Sequence, residues 1–231
     1  MASPAYLFAP PATVTVPVRG LAELYPVRRI FCVGRNYAEH AREMGFDPDR
    51  EPPFYFTKPA DAIRLAGGTV AYPPATKNYH YEMELVVALH QPAFQVKPEA
   101  ALDAVYGYAA GLDMTRRDLQ FLARDKGRPW DLGKAFEDSA VIGDIVPASA
   151  IGHLSSGAIR LTVNGTVKQD ADLKALIWSV PELIANLSQF YHLGAGDLIY
   201  TGTPAGVGAV VPGDKLVGHI DGIGEISCTI A

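Results

Sequence analysis

The chain has 231 residues, 48% of them hydrophobic and 19% charged, with a formal net charge of −5. That length suits one compact domain with a small appendage, and the apolar content supplies a sizeable core, which argues against disorder. No Lys/Arg run stands out and no segment approaches the roughly 18 apolar residues of a membrane span, so neither a nucleic-acid nor a membrane partner is expected.

The opening stretch, MASPAYLFAPPATVTVPVRG, lacks a basic region followed by an apolar run, so no secretory signal is read there. Residues 1–27 are proline-rich and read as an extended arm with a short strand, leaving 28–231 as the main domain. RIFCVG (29–34) reads as a buried strand. NYAEHAREMG (36–45) reads as a helix, with Asn36 as a plausible N-cap and Gly45 as a plausible stop. FDPDREPP (46–53) is a polar, proline-rich loop with the look of a mobile segment. FYFTKP (54–59) and HYEMELVVALH (80–90) read as strands. A helix over about 98–105 precedes a strand through YGYAAGLDMT. TRRDLQFLARDKG reads as a helix and KAFEDSAVIGDIVP as an irregular strand. IRLTVNGTVKQD (159–170) is a hairpin, because Asn-Gly between alternating runs signals a type I′ turn. VPELIANLSQFYHL (180–193) is a helix with proline near its first turn. DLIYTG, DKLVGHI and GEISCTI close the chain as strands. Cys32 and Cys228 lie in the apolar runs IFCVG and ISCTI, which suits buried small hydrophobes better than a disulfide. A cytoplasmic, reducing setting is therefore expected. The strands and helices show no regular βαβ alternation, which predicts an α+β fold on a mixed sheet.

The chemistry centres on HYEMELVVALH. Side chains alternate along a strand, so Glu82 and Glu84 share a face, about 7 Å apart, while Tyr81, Met83 and Leu85 take the other. The strand runs on into VVAL. Two ionised carboxylates in such surroundings are costly unless something positive lies between them, and a cation would serve. A strand with one solvated face remains the plainer alternative. Asp113 ends the small-residue run GYAAGLD, although it could also cap the helix that follows. Three carboxylates without a His/Cys cluster suit Mg²⁺, Mn²⁺ or Ca²⁺, and zinc is disfavoured. His40 and Glu43, at i and i+3, can form an imidazole–carboxylate pair of the kind that makes a general base, or an ordinary surface pair. Lys134 can clamp an anion or simply be solvated. TGTPAGVG (201–208) lacks the ending of a P-loop; it can be a set of tight turns, or backbone N–H groups and Thr203 facing a carboxylate.

Taken together and in order, CVGRNYAEHAREMG, FYFTKPADA, YEMELVVAL, GYAAGLDMTRRDLQ, KGRPWDLGKAFEDSAVIG, LTVNGTVKQ and DLIYTGTPAGVG resemble the fumarylacetoacetate hydrolase family, in its single-domain acylpyruvate hydrolase branch. GFDPDREPPFYFTKPADA is similar to the bacterial fumarylpyruvate hydrolases of gentisate breakdown. The resemblance implies a mixed β-sheet roll, a homodimer, and Mg²⁺ or Mn²⁺ held by Glu82, Glu84 and Asp113. It implies a His40–Glu43 dyad in a mobile lid and a family lysine at Lys134. It also implies substrate contacts from Arg117, Gln120 and Thr203, with Arg35 in the basic segment before the dyad.

The substrate so implied is a 2,4-diketo acid, fumarylpyruvate foremost. Its pyruvoyl end would lie at the metal and His40 would activate water against the distal carbonyl. Arg35, Lys58 and Arg42 are candidates for its far end. Oxaloacetate decarboxylation, keto-acid tautomerisation and another acylpyruvate remain alternatives on the same scaffold. A non-catalytic, metal-stabilised binding protein is the alternative of another class.

Overall fold

The structure is a computed structural model that describes residues 5–43 and 51–231. The fold is α+β, built on two mixed sheets. The larger sheet has eight strands. Seven run in the spatial order Phe54–Lys58, Arg29–Gly34, Asp197–Tyr200, Met83–Leu89, Val105–Asp113, Ala140–Ile142, Ile63–Leu65, and Val146–Pro147 also pairs with Val105–Asp113. Its Arg29–Gly34/Asp197–Tyr200 and Ala140–Ile142/Ile63–Leu65 pairs are parallel, and the others along that path are antiparallel. A five-stranded sheet, Thr166–Asp172, Ala158–Val163, Lys215–Ile220, Gly224–Ile230 and Thr69–Val70, packs on it.

Both faces of the large sheet are buried, which explains the unbroken apolar run VVAL. Met83, Leu85, Val87 and Leu89 meet Leu161, Leu216 and Ile226 of the smaller sheet in one core cluster. Val86, Ala88 and Ala109 face the opposite way, toward Val16, Val18, Tyr25 and Val27 of the arm. The arm holds two short strands, Thr15–Pro17 and Leu24–Pro26, paired antiparallel. Its Tyr25 hydroxyl donates to the carbonyls of Leu89 (2.7 Å) and Asp197 (3.0 Å).

The expected strand 80–90 is interrupted at Glu82. Tyr79–Tyr81 belongs to a separate three-stranded sheet with Thr115–Arg116 and Gly208–Val210, and Met83–Leu89 belongs to the large sheet. Glu82 thus sits where two sheets meet. The predicted hairpin forms with the positive φ values of a type I′ turn at Asn164 (50°) and Gly165 (79°). Both cysteines are free and buried. The helix expected over 36–45 is Ala38–Glu43 where it is described. The proposed stop at Gly45, and most of the 46–53 loop with its expected mobility, lie outside the described residues. Among the described residues no helix is long and apolar enough to cross a membrane.

Gly111 marks a tight point in the central ladder near the site. It pairs with Glu84 across the ladder, and a Cβ there would lie 2.7 Å from the Val86 side chain and 2.8 Å from the Tyr200 ring. Gly111→Ala is expected to destabilise the fold by about 1–3 kcal/mol through overpacking. Thermal unfolding would read this as a drop of about 2–4 °C per kcal/mol; an unchanged melting temperature would contradict the packing described.

Candidate active site

The alternation of the two central strands brings the acids together. In the ladder Glu84 faces Gly111 and Met83 faces Leu112, and the Asp113 N–H donates to the Glu82 carbonyl at 2.9 Å. Glu82, Glu84 and Asp113 are all buried, and each offers a carboxylate oxygen within 4.8 Å of the others. Three hard oxygen donors so close, on one face at the end of a sheet, fit a divalent cation of the Mg²⁺, Mn²⁺ or Ca²⁺ kind.

Fixed positive charges surround two of the three acids. Lys134, at the end of the short Asp131–Lys134 helix, donates to Glu82 Oε2 (2.8 Å), Asp113 Oδ2 (2.6 Å) and Thr115 Oγ1 (2.7 Å). All three of its ammonium protons are therefore placed. Arg117 binds the other oxygen of Glu82, and its Nη1 donates to Gln120 Oε1 at 2.6 Å. Lys58 lies 2.8 Å from Asp113 Oδ1 and donates to the backbone carbonyls of Met114 and Lys134.

These charges sort the carboxyls. Burial alone would raise Glu82, but Lys134 and Arg117 outweigh it and hold that carboxyl far below its usual range. Burial also opposes the charge on Lys134, and Asp113 and Glu82 override it, so its pKa lies above the ordinary value. Glu84 has no such cation. Burial first, then the charges of Asp113 and Glu82, push it well above the usual carboxylate range, although it accepts the Gly202 N–H at 2.8 Å. A divalent cation beside Glu84 would favour its ionised form.

The His40–Glu43 pair forms as its spacing predicts. His40 Nδ1 lies 3.1 Å from Glu43 Oε2, and the Gly206 N–H reaches both Glu43 oxygens at 3.1 Å. The His40 hydrogen bond is the main reason the Glu43 carboxyl lies below its ordinary value. His40 is buried and lines a cavity together with Glu82, Glu84, Arg35, Arg117, Gln120, Lys134 and Thr203. Asp113 stands behind Lys134, and Glu43 behind His40, so both reach the cavity through a partner.

Several expectations need correction. Asn36 does not cap the helix. Its side chain is consumed by three backbone partners: Nδ2 donates to the Trp178 and Thr201 carbonyls, and Oδ1 accepts the Trp178 N–H. The glycine-rich turn does face carboxylates, but its Gly202 and Gly206 N–H groups meet the chain's own Glu84 and Glu43. Lys58 is buried beside Asp113, not at the far end of the cavity. Arg42 is exposed and paired with Glu39.

Gln169 went unnoticed in the sequence. It is fully buried; its Nε2 donates to Thr203 Oγ1 and the Pro204 carbonyl (both 2.8 Å), and its Oε1 accepts the Met83 N–H at 3.0 Å. It ties the glycine-rich turn to the start of the Met83–Leu89 strand, between the two glutamates. Nothing in the alternation of its hairpin distinguishes it from its neighbours. Phe56, Phe121, Arg124 and Trp130 also line the cavity. Of these, Phe121 and Arg124 were legible from their helical spacing relative to Arg117.

The chain as a whole matches known proteins. Residues 29–231 match the family described as the fumarylacetoacetate hydrolase C-terminal domain. A fumarylpyruvate hydrolase of Ralstonia sp is 58% identical over 184 residues, 80% of this chain and 95% of that protein. A mitochondrial oxaloacetate tautomerase of Rattus norvegicus is 41% identical over 196 residues, 85% of this chain and 88% of that protein. The crystal structure of fumarylpyruvate hydrolase from Pseudomonas aeruginosa in complex with Mn²⁺ and pyruvate superposes with a TM-score of 0.96. It is 54% identical and covers 98% of this chain and 99% of that one.

Glu84 supplies a stability test with a definite sign. A carboxyl raised on folding stays protonated in the native state while the unfolded chain ionises, at about pH 4.3 for glutamate. Stability is therefore lost as the pH rises from there toward the native value. Glu84→Gln is expected to raise the melting temperature of the metal-free protein at pH 7.5, with a smaller gain near pH 4. The same variant should lose the stabilisation that Mn²⁺ gives the native protein. A variant that is less stable when metal-free, or still stabilised by Mn²⁺, would show that Glu84 is not a strained cation ligand.

Proposed function

Since the chain belongs to the fumarylacetoacetate hydrolase family, we propose that it is a metal-dependent hydrolase of 2,4-diketo acids that converts fumarylpyruvate and water to fumarate and pyruvate. One observation carries this reading. Glu82 and Glu84 of a buried carboxylate triad and the imidazole of a His–Glu pair line a single cavity, which joins a place for an electrophilic cation to a place for a base. A binding module needs no base.

Glu82, Glu84 and Asp113 would hold the cation, Mg²⁺ or Mn²⁺, with Ca²⁺ as a third option. When bound, it supplies positive charge opposite the oxygen that becomes negative as the C–C bond breaks. Arg117, Gln120 and Thr203 hold the pyruvoyl end of the substrate, and Arg35 contributes from the rim. Glu43 engages His40 Nδ1, leaving Nε2 to take a proton from water. The water oxygen adds to the distal keto carbon as that proton leaves. The bond from this carbon to the adjacent methylene then breaks, and its electron pair departs with the three-carbon keto acid, which is protonated to pyruvate. Lys134, fixed and charged at this end of the cavity, stabilises the departing fragment. A cytoplasmic homodimer working in gentisate breakdown belongs to the same reading.

The similarity to an oxaloacetate tautomerase makes enol–keto or decarboxylation chemistry on oxaloacetate the second reading. Both routes need the same cation site; only hydrolysis needs a base set to activate water.

The decisive assay follows the enol absorbance of fumarylpyruvate with Mg²⁺ and then with excess EDTA, with acetylpyruvate and oxaloacetate alongside. Fast, EDTA-sensitive loss with fumarylpyruvate is expected. His40→Ala should lower that rate by about 10²–10⁴, the usual worth of a general base, while Mn²⁺ still raises its melting temperature. Full activity in His40→Ala would remove the dyad from the mechanism, and oxaloacetate as the best substrate would favour the second reading.

A further inference from the structure

The cavity does not end at its polar chamber. It continues into an outer groove with room for about 440 Å³, lined by Phe54, Trp130, Arg124, Arg128 and others. Arg35, Phe56, Arg124, Trp130 and Lys134 border both spaces and mark the passage between them. The charges along this path are ordered. Both carboxylates that line the chamber, Glu82 and Glu84, are confined to it, while Arg35 and Arg124 line both spaces and the groove adds Arg128 against the single carboxylate of Asp131.

The Arg117–Asp125 helix spans the two regions. Arg117, Gln120, Phe121 and Arg124 fall at i, i+3, i+4 and i+7, which is one face of a helix, and all four line the cavity. Arg117 is at the inner end, bound to Glu82. Arg124 lies two turns further on, about 10 Å along the axis at 1.5 Å per residue. Between them Phe121, Phe56 and Trp130 offer flat apolar walls.

Resting on the keto-acid reading of the inner chamber, we propose that Arg124, together with Arg35, forms a second carboxylate subsite that selects elongated dicarboxylic keto acids over monocarboxylic ones. The keto-acid end enters the chamber. The planar middle of the chain lies between the aromatic rings, and the distal carboxylate meets the guanidinium of Arg124. That guanidinium is held ready. Its Nε and Nη2 both reach Asp125 Oδ1 at 3.0 Å, and it stacks 4.6 Å from the centre of the Phe121 ring. The Asp125 contact is exposed and weak, so a substrate carboxylate displaces it readily. Arg35 holds a left-handed backbone (φ 58°), a costly conformation for a residue other than glycine, and its guanidinium lies 5.9 Å from the Phe54 ring centre.

Calorimetric titration of the Mn²⁺-loaded full chain tests this with 2-oxoheptanedioate and 2-oxoheptanoate, keto acids of equal length that differ in the distal carboxylate. The native protein is expected to bind the diacid at least about tenfold more tightly, as a charge-assisted contact requires. Arg124→Gln should bring the ratio of the two affinities close to one, and Arg124→Lys should restore part of it. No preference in the native protein, or a preference kept in full by Arg124→Gln, would overturn the subsite. A diacid preference that depends on Arg124, in a protein that does not hydrolyse fumarylpyruvate, would support the subsite while removing the hydrolase reading.

Discussion

Three carboxylates buried within 4.8 Å of one another are the constraint to which the rest of the structure answers. Removing such charges from water costs several kcal/mol each unless partners compensate. The chain meets this cost unevenly. Glu82 and Asp113 receive fixed cations from Lys134, Arg117 and Lys58. Glu84 receives one backbone N–H and remains unfavourable as an anion. The cations thus cluster on two of the three acids, while Glu84, which lines the cavity beside Glu82, has none of them in contact.

The fold meets the demand for precise placement by converging several elements on Glu82. Two sheets part at that residue, the Gln169 side chain locks the strand beyond it to the Thr203 turn, and Gly202 and Gly206 of that turn each hold a different glutamate. Gly206 has φ 94°, and a Cβ there would lie 1.9 Å from the Lys168 carbonyl, so a side chain is excluded. The same turn therefore supports both Glu84 of the carboxylate triad and Glu43 of the His40–Glu43 pair. Asn36 fastens the base of the dyad helix to the end of the Asp197–Tyr200 strand through Thr201. Binding geometry and base geometry share one scaffold, which makes them sensitive to the same substitutions.

Much of this was readable in the sequence. The period-2 alternation of YEMEL puts Glu82 and Glu84 on the side opposite Met83 and Leu85, and the structure keeps that alternation. The i, i+3 spacing of His40 and Glu43 gives their contact, and Asn-Gly gives the hairpin turn. What stayed hidden depends on long-range contacts. Lys58 lies 55 positions from Asp113, since 113 − 58 = 55, and reads as an ordinary lysine at a strand end. Gln169 reads as one more polar hairpin residue. Asn36 carries the local signature of an N-cap, yet tertiary partners take all its hydrogen-bonding capacity. Arg124 occupied a visible helical position whose meaning required the cavity.

The central claim is that Glu82, Glu84 and Asp113 together hold the catalytic cation. Anomalous diffraction at the manganese edge, from crystals grown with Mn²⁺, tests it most directly. The account predicts one strong peak at roughly 2.0–2.2 Å from a carboxylate oxygen of each residue, the range for small hard divalent ions. A peak elsewhere, or none in a protein that still hydrolyses fumarylpyruvate under the same conditions, would contradict it.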